Sequence, residues 1–408
     1  MIERVEYLNT LKEWQNKQII KVVTGIRRAG KSTLLEQFQS YLKDTGVKDE
    51  QIIAVNFEDM EFEDLLDYRK LYSYIKERII PESQMYIFLD EVQKVASYEN
   101  VVDSFYVQEN IDIYITGSNS YLFSGQLATN LRGRYIEINL LPLSFREYYY
   151  ITDLPASTAF AEYVRTGGFP YIKTMDLSSQ NSSMYIEGIY NTVLLKDIED
   201  RLRRKESSGK NSNVTDVALL KSVSKYLASV IGSPVSLRSI TNYMISNERK
   251  VSVNTISDYV TALCDAYLYY PVDSMNLNGK EVMKSNKKYY IVDLGLRNYI
   301  LPKRTYDFGF SLENIVYFEL LRRRYEVHIG RHGSHEIDFI AKKDNAYTYI
   351  QVTASMADES TFNREITPLK NIKDNYEKII LTMDEYTPGN YEGIKIINVL
   401  EWLLSPSF

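Results

Sequence analysis

The stretch Val22-Val23-Thr24-Gly25-Ile26-Arg27-Arg28-Ala29-Gly30-Lys31-Ser32-Thr33-Leu34-Leu35 decides the fold. Its centre, Gly25 to Ser32, fits G-x-x-x-x-G-K-[ST]. Ahead of it, residues 19–23 are an apolar run that reads as a buried strand. Behind it, Leu34, Leu35, Phe38 and Leu42 fall on one helical face. Strand, glycine-rich turn and helix start form the setting in which backbone N–H groups wrap a polyphosphate and the helix dipole adds its positive end. In that setting Lys31 reaches the β- and γ-phosphates and the Ser32 hydroxyl holds Mg²⁺. The expected nucleotide-binding set is Gly25, Arg27, Arg28, Ala29, Gly30, Lys31, Ser32 and Thr33.

Working outward, residues 52–55, 85–89 and 111–115 are further apolar runs, separated by amphipathic segments. Strand–helix alternation predicts an α/β domain with a parallel sheet covered on both faces. The run at 85–89 ends in Asp90-Glu91. Two carboxylates closing a buried strand need a function, because carboxylates are rarely buried unpaired. Asp90 is expected to bind Mg²⁺, and Glu91 to polarise an attacking water. An acid directly after the Mg²⁺ aspartate favours hydrolysis over small-molecule phosphorylation.

Composition narrows the class. The 408 residues carry 48 Lys+Arg against 54 Asp+Glu, a net charge of −6, which excludes a uniformly basic nucleic-acid coat but not a local basic groove. A lone cysteine, Cys264, closes no intrachain disulfide and builds no zinc finger, as in a reducing compartment. No apolar run reaches the ~18 residues of a membrane span, so a cytoplasmic protein without a membrane partner is expected. Residues 206–213 are polar and turn-rich and form the best linker. Three helical patterns follow from residue 214, then residues 282–292, which read as a hairpin. Strands are expected at 336–341, 346–352 and 378–381.

Several motifs together resemble the AAA+ ATPases, and within them a prokaryotic group that joins this core to a C-terminal region of unknown function. They are Ile2-Glu3-Arg4 with Tyr7, Leu8 and Leu11; Gly25 to Thr33; Leu89-Asp90-Glu91-Val92-Gln93; Ile115-Thr116-Gly117-Ser118-Asn119-Ser120; Leu131-Arg132-Gly133-Arg134; and Leu141-Pro142-Leu143-Ser144-Phe145 with Glu147. The resemblance implies ATP and Mg²⁺ as cofactors and a homo-oligomer, a hexamer being one form. It implies a sensor at Ser118 or Asn119 and a trans-acting arginine finger at Arg132 or Arg134. Lys31, Glu91, Ser118, Asn119, Arg132 and Arg134 are thus the catalytic set. Gly168-Phe169-Pro170 resembles the Gly-x-Pro element where a helical lid meets nucleotide, adding Gly168 and Pro170 to the ATP-binding set.

Residues 214–300 look like a winged helix. Ser252 is expected to cap a helix whose Ile256, Val260, Leu263 and Tyr267 pack inward. Lys280, Lys284, Lys287 and Lys288 would form a wing suited to DNA phosphates. The last hundred residues resemble the PD-(D/E)xK nuclease fold, with Glu319, Asp338, Gln351 and Thr353 at the matching positions. Thr353 stands where that chemistry needs a lysine, which argues against cleavage. Lys343 and Lys370 are the first candidates for a migrated one. His328, His332 and His335 cluster without a supporting cysteine and read as a metal-free hairpin.

The expected architecture is an AAA+ P-loop core at 1–150, a helical lid at 151–210, a winged helix at 211–301 and a nuclease-like α/β domain at 302–408. The expected function is ATP hydrolysis in an oligomer acting on DNA, including branched or structured DNA. The alternatives are an ATP-dependent nuclease and a nucleotide switch that remodels a protein partner.

Overall fold

The computed structural model describes residues 2–117, 131, 133–174, 179–193, 198, 216–277, 279, 281–302, 308–333 and 335–406. Ser118, Asn119, Arg132, Lys280 and the linker at 206–213 lie outside the described residues, and Lys284 is described in its backbone alone. The chain divides into two compact units, Met1–Pro142 with Asp265–Tyr267, and Leu143–Cys264 with Leu268–Phe408.

The first unit is built on strands β1 (Ile20–Thr24), β2 (Ile52–Asn56), β3 (Met85–Asp90), β4 (Ile111–Thr116) and β5 (Tyr135–Asn139). They form a parallel sheet in the order β2-β3-β4-β1-β5. Every residue of β1, β3 and β4 is buried, as continuous apolar runs in a doubly covered sheet should be. The helix Lys31–Asp44 lays Leu34, Leu35, Phe38 and Leu42 onto the sheet, and Phe38 packs at 5.1 Å from the Tyr114 ring. The polar intruders in these strands are partnered. Lys21 ion-pairs with Asp112, and the Tyr114 hydroxyl donates to the same carboxylate at 2.7 Å.

The second unit is centred, among the described residues, on an eight-stranded sheet. Its strands are β6 (Tyr269–Asn276), β7 (Glu281–Ile291), β8 (Glu326–His332), β9 (His335–Lys343), β10 (Ala346–Thr353), β11 (Glu377–Thr382), β12 (Asn390–Tyr391) and β13 (Ile394–Asn398), in the order β12-β13-β11-β10-β9-β8-β6-β7. Helices Val217–Ser229, Leu237–Ser246 and Val253–Asp265 precede β6, and Ser252 caps the third through a 3.1 Å bond from the Thr255 N–H.

The hairpin departs from expectation. Residues 282–292 are not a hairpin; β7 is one long strand paired antiparallel with β6. The helix ends at Asp265, and Tyr267 takes φ 58°, reversing the chain into β6 where helical periodicity suggested continuation. The hairpin also joins the C-terminal sheet, because β6 pairs in parallel with β8. The boundary expected at 301/302 therefore falls between elements of a single sheet.

Candidate active site and a buried acid–lysine cluster

β1 ends at Thr24 and the chain turns at Gly25, whose φ is 131°. A Cβ there would sit 2.1 Å from the Leu140 carbonyl oxygen, so only glycine fits. Arg28 (φ 68°) and Gly30 (φ 101°) are also left-handed, the backbone habit of an anion-binding nest, and the helix starts at Lys31. Lys31 is buried, with Nζ donating to the Gly25 and Ile26 carbonyls at 3.1 and 3.3 Å. Arg27 pairs with Glu58 at 3.0 Å, and Arg28 is exposed.

The end of β3 meets this loop. The Asp90 carboxylate accepts from the Ser32 hydroxyl and from Thr116 Oγ1, while the Glu91 N–H donates to Thr116 Oγ1 at 2.9 Å. Burial raises the Asp90 pKa, and those two hydroxyl bonds oppose the rise. A hydroxyl and a carboxylate converging beside a lysine make the hard-oxygen donor set that suits Mg²⁺, so Ser32 and Asp90 fit the ion. Glu91 takes φ 55° at the strand end, and its carboxylate accepts a hydrogen bond from Gln93 Nε2. Thr116 and Gln93 were not expected at the site. Both belong to the motifs at 89–93 and 115–120, whose resemblance points to the residues beside them.

Of the expected arginines, the described one lies apart from this centre. Arg134 pairs with Asp103 at 3.8 Å and lies over the Tyr106 ring. Tyr135 pairs with Ile20, the first residue of β1, so Arg134 stands at the end of the sheet away from the phosphate loop. Gly168 and Pro170 belong to the second unit. There the Gly168 N–H donates to Asp293 Oδ2 at 2.6 Å, and Pro170 opens the helix Pro170–Thr174. At Gly167 (φ 80°) a Cβ would meet Asp293 Oδ1 at 2.1 Å, so packing on this carboxylate shapes the bend.

The second unit also assembles an acid cluster, with two corrections to its expected membership. Lys288 is no phosphate-facing wing residue. It is 2% exposed, with Nζ 3.0 Å from Glu313 and 2.7 Å from Glu336. Burial alone would lower its pKa, but the charges of Glu313, Asp338 and Glu336 prevail and raise it. Nor does Glu319 join the cluster. It pairs with Arg322 and Arg323, at 3.8 and 2.9 Å. The helix Phe308–Arg322 instead presents Glu313, nearly two turns earlier and so on another face. Glu313 also accepts from the Tyr290 hydroxyl at 2.5 Å.

Asp338 and Gln351 do come together. The Asp338 N–H donates to Gln351 Oε1 at 2.8 Å, and the Val352 N–H donates to Asp338 Oδ2 at 2.8 Å. Gln351 Nε2 continues the chain to Glu365 at 2.9 Å. Burial, then the Glu313 charge, raises the Asp338 pKa well above normal. Thr353 Oγ1 donates to the Ser355 carbonyl at 3.1 Å. Neither expected migrant reaches the cluster, for Lys370 pairs with Glu392 and Lys343 lies over the Tyr325 ring. The lysine that does arrive is Lys288, from β7. Lys287 beside it pairs with Asp273 at 3.1 Å. Among the described residues no group of His, Cys, Asp and Glu is arranged to hold a metal ion, and no helix is long and apolar enough to cross a membrane.

This loop, this sheet order and this acid-tipped strand define a P-loop ATPase core, and residues 17–149 match the AAA domain family. The chain belongs to the same family as an uncharacterized protein of Haemophilus influenzae, with which it is 38% identical over 99% of each chain. An uncharacterized protein of Methanocaldococcus jannaschii is 27% identical over 92% of this chain and 84% of its own. Residues 157–307 match a domain of unknown function, DUF8612. Among solved structures, the Walker-type ATPase PABY2304 of Pyrococcus abyssi is 14% identical over 74% of this chain and 96% of its own, with a TM-score of 0.49. The Aeropyrum pernix ORC1 protein in complex with DNA is 13% identical over 74% of this chain and 93% of its own, with a TM-score of 0.29.

Proposed function

We propose that the chain binds ATP with Mg²⁺, hydrolyses it within a homo-oligomer, and couples the cycle to DNA. The observation that carries hydrolysis is the convergence of Lys31, Ser32, Asp90 and Glu91 at the ends of β1 and β3. Lys31 exchanges two neutral carbonyls for the phosphates, an exchange that charge favours. Ser32 and Asp90 would hold Mg²⁺, which would supply positive charge against the phosphates, and Glu91 takes the proton of the attacking water. Ser118 or Asn119 senses the γ-phosphate, Gly168 and Pro170 contact nucleotide, and Arg132 or Arg134 reaches a neighbouring subunit's site.

That last assignment has its own test. Arg132→Ala or Arg134→Ala should retain nucleotide yet turn over ~10³-fold more slowly. Mixing either with Lys31→Ala protein should restore activity, since each supplies what the other lacks. A wild-type rate independent of concentration, with no rescue, overturns the shared site.

The DNA reading draws on three helices followed by an antiparallel hairpin, with Val235 bridging to Lys287 as in a winged helix. A protein-docking switch is the second reading. It is favoured by the exposed Asn254, Asp258 and Thr261 on the helix Val253–Asp265, which carries no lysine or arginine. Steep loss of DNA affinity with rising salt supports the first reading, and salt-insensitive or absent DNA binding supports the second. Cleavage is not part of either, because Thr353 stands where that chemistry needs a lysine and Lys288, the lysine that reaches the cluster, is tied up by Glu313 and Glu336. Cleavage in Mg²⁺ or Mn²⁺ that vanishes in Asp338→Ala would refute that.

A further inference from the structure

The wing lysines described here are engaged internally, Lys287 by Asp273 and Lys288 by Glu313 and Glu336. A different cationic surface lies on the second unit. Helices Val217–Ser229 and Leu237–Ser246, with the chain at residues 300–302, enclose a half-open cavity of about 750 Å³. Its wall includes Lys225, Arg249, Tyr226, Tyr243 and Asn247, over a floor that includes Met244, which is 1% exposed. Among the described residues no carboxylate lines it, in a chain whose net charge is −6. Arg249 has one anionic neighbour outside the wall, Asp216 at 3.3 Å, and Lys225 makes no ion pair among the described residues. The Tyr226 and Tyr243 rings lie 4.6 Å apart at 45°, and Tyr243 is 48% exposed. Neither phenol hydroxyl has a hydrogen-bond partner among the described residues.

Flat aromatic faces, an apolar floor and two cations that share one carboxylate are the parts that hold a planar ring carrying an anion. We propose that this cavity binds a nucleotide unit, its base against Tyr226 and Tyr243 and its phosphate on Lys225 and Arg249. A single-stranded nucleic acid offers such a unit unstacked, whereas a duplex keeps its bases paired and stacked. A free nucleotide offers the same chemistry. As a single-strand site, the cavity deepens the DNA reading above and rests on it.

The test uses the full chain and fluorescence anisotropy. Labelled oligothymidylate, the matching duplex, and a fluorescent ADP added to Lys31→Ala protein are the three probes. Tyr243 and Lys225 are exposed, so Tyr243→Ala and Lys225→Glu should fold and keep DNA-free ATP turnover. Each should weaken oligothymidylate binding about tenfold or more, the worth of one stacked base or one phosphate contact, while Lys225→Arg retains it. Wild-type affinity for oligothymidylate in both variants overturns the site and leaves the DNA reading standing. Should no DNA bind while Lys31→Ala protein captures the fluorescent ADP, and Tyr243→Ala abolishes that capture, the site stands as a free-nucleotide site and the DNA reading falls. Binding of none of the probes overturns both, while turnover reports separately on the phosphate loop.

Discussion

Lys31 and Lys288 are both buried beside carboxylates, and they are held in opposite ways. Lys31 rests on two backbone carbonyls, with Asp90 and Glu91 at the adjoining strand end. Lys288 rests on two carboxylates, with a third, Asp338, close enough to raise its pKa. Carbonyls are neutral partners that a polyphosphate outcompetes; carboxylates already compensate the lysine's charge. The first arrangement is open to an anion, and the second is closed to one. The same residue types therefore make a substrate site in one unit and an internal ion-pair cluster in the other.

The sharpest break of this comparison is chemical. Lys31→Ala should lose nucleotide binding, and Glu91→Gln should bind ATP but turn it over ~10³-fold more slowly, since glutamine keeps volume without basicity. Filter binding and phosphate release measure the two effects separately. Near-normal release by Glu91→Gln would mean that the open site is not the hydrolytic one. The matching change at the closed site should cost stability instead. Lys288→Met strands the buried Glu313, a loss of about 3–5 kcal/mol in denaturant unfolding, with ATP affinity untouched. Adding Glu313→Gln should recover part of it, because one stranded charge disappears.

A third carboxylate separates burial from ion pairing. At Asp293 burial prevails; it pushes the pKa up to about 6 from 3.8, with N–H bonds from Gly168, Leu296 and Gly295 and, last, the Arg322 charge opposing the rise. The folded chain then keeps this proton to higher pH than the unfolded chain does. Its contribution is most favourable below 3.8 and is lost as pH rises through 6, by about 3 kcal/mol in all. Urea midpoints should fall across that window in the wild type, and Asp293→Asn should lose that part of the slope whatever it does to absolute stability. An unchanged slope in the variant would assign the titration to another group.

What could be read from the sequence follows the same division. Strands β1, β3 and β4 are continuous apolar runs, and the phosphate loop is local, so both were legible. Edge strand β5 was not, because Tyr135-Ile136-Glu137-Ile138-Asn139 is mostly half-buried and alternates weakly. The acid cluster was legible only in Asp338 and Gln351, which neighbouring strands bring together. The helix Phe308–Arg322 is buried on every side from Ser311 to Leu320, so no polar stripe told Glu313 from Glu319. Lys288 meets its partners from a strand outside the expected nuclease region, a pairing that no local spacing encodes.

The smallest expected effect lies within the open site. Gln93 follows Glu91 in the tight turn Val92–Lys94, and its Nε2 donates to one carboxylate oxygen of Glu91 while its own Oε1 is buried without a partner among the described residues. An amide with one end unpaired is an expensive group to hold here unless it orients something, and what it touches is the proposed base. With that oxygen fixed, the carboxylate loses a rotational freedom that would otherwise have to be frozen at each turnover. Gln93→Ala should therefore lower kcat about tenfold and leave KM within a factor of two, because no phosphate contact changes. Gln93→Glu should lower it further and move the acid limb of the kcat profile to higher pH, since a like charge beside Glu91 favours its protonated form. A rise in kcat for Gln93→Ala would mean that the amide restrains Glu91 rather than aims it.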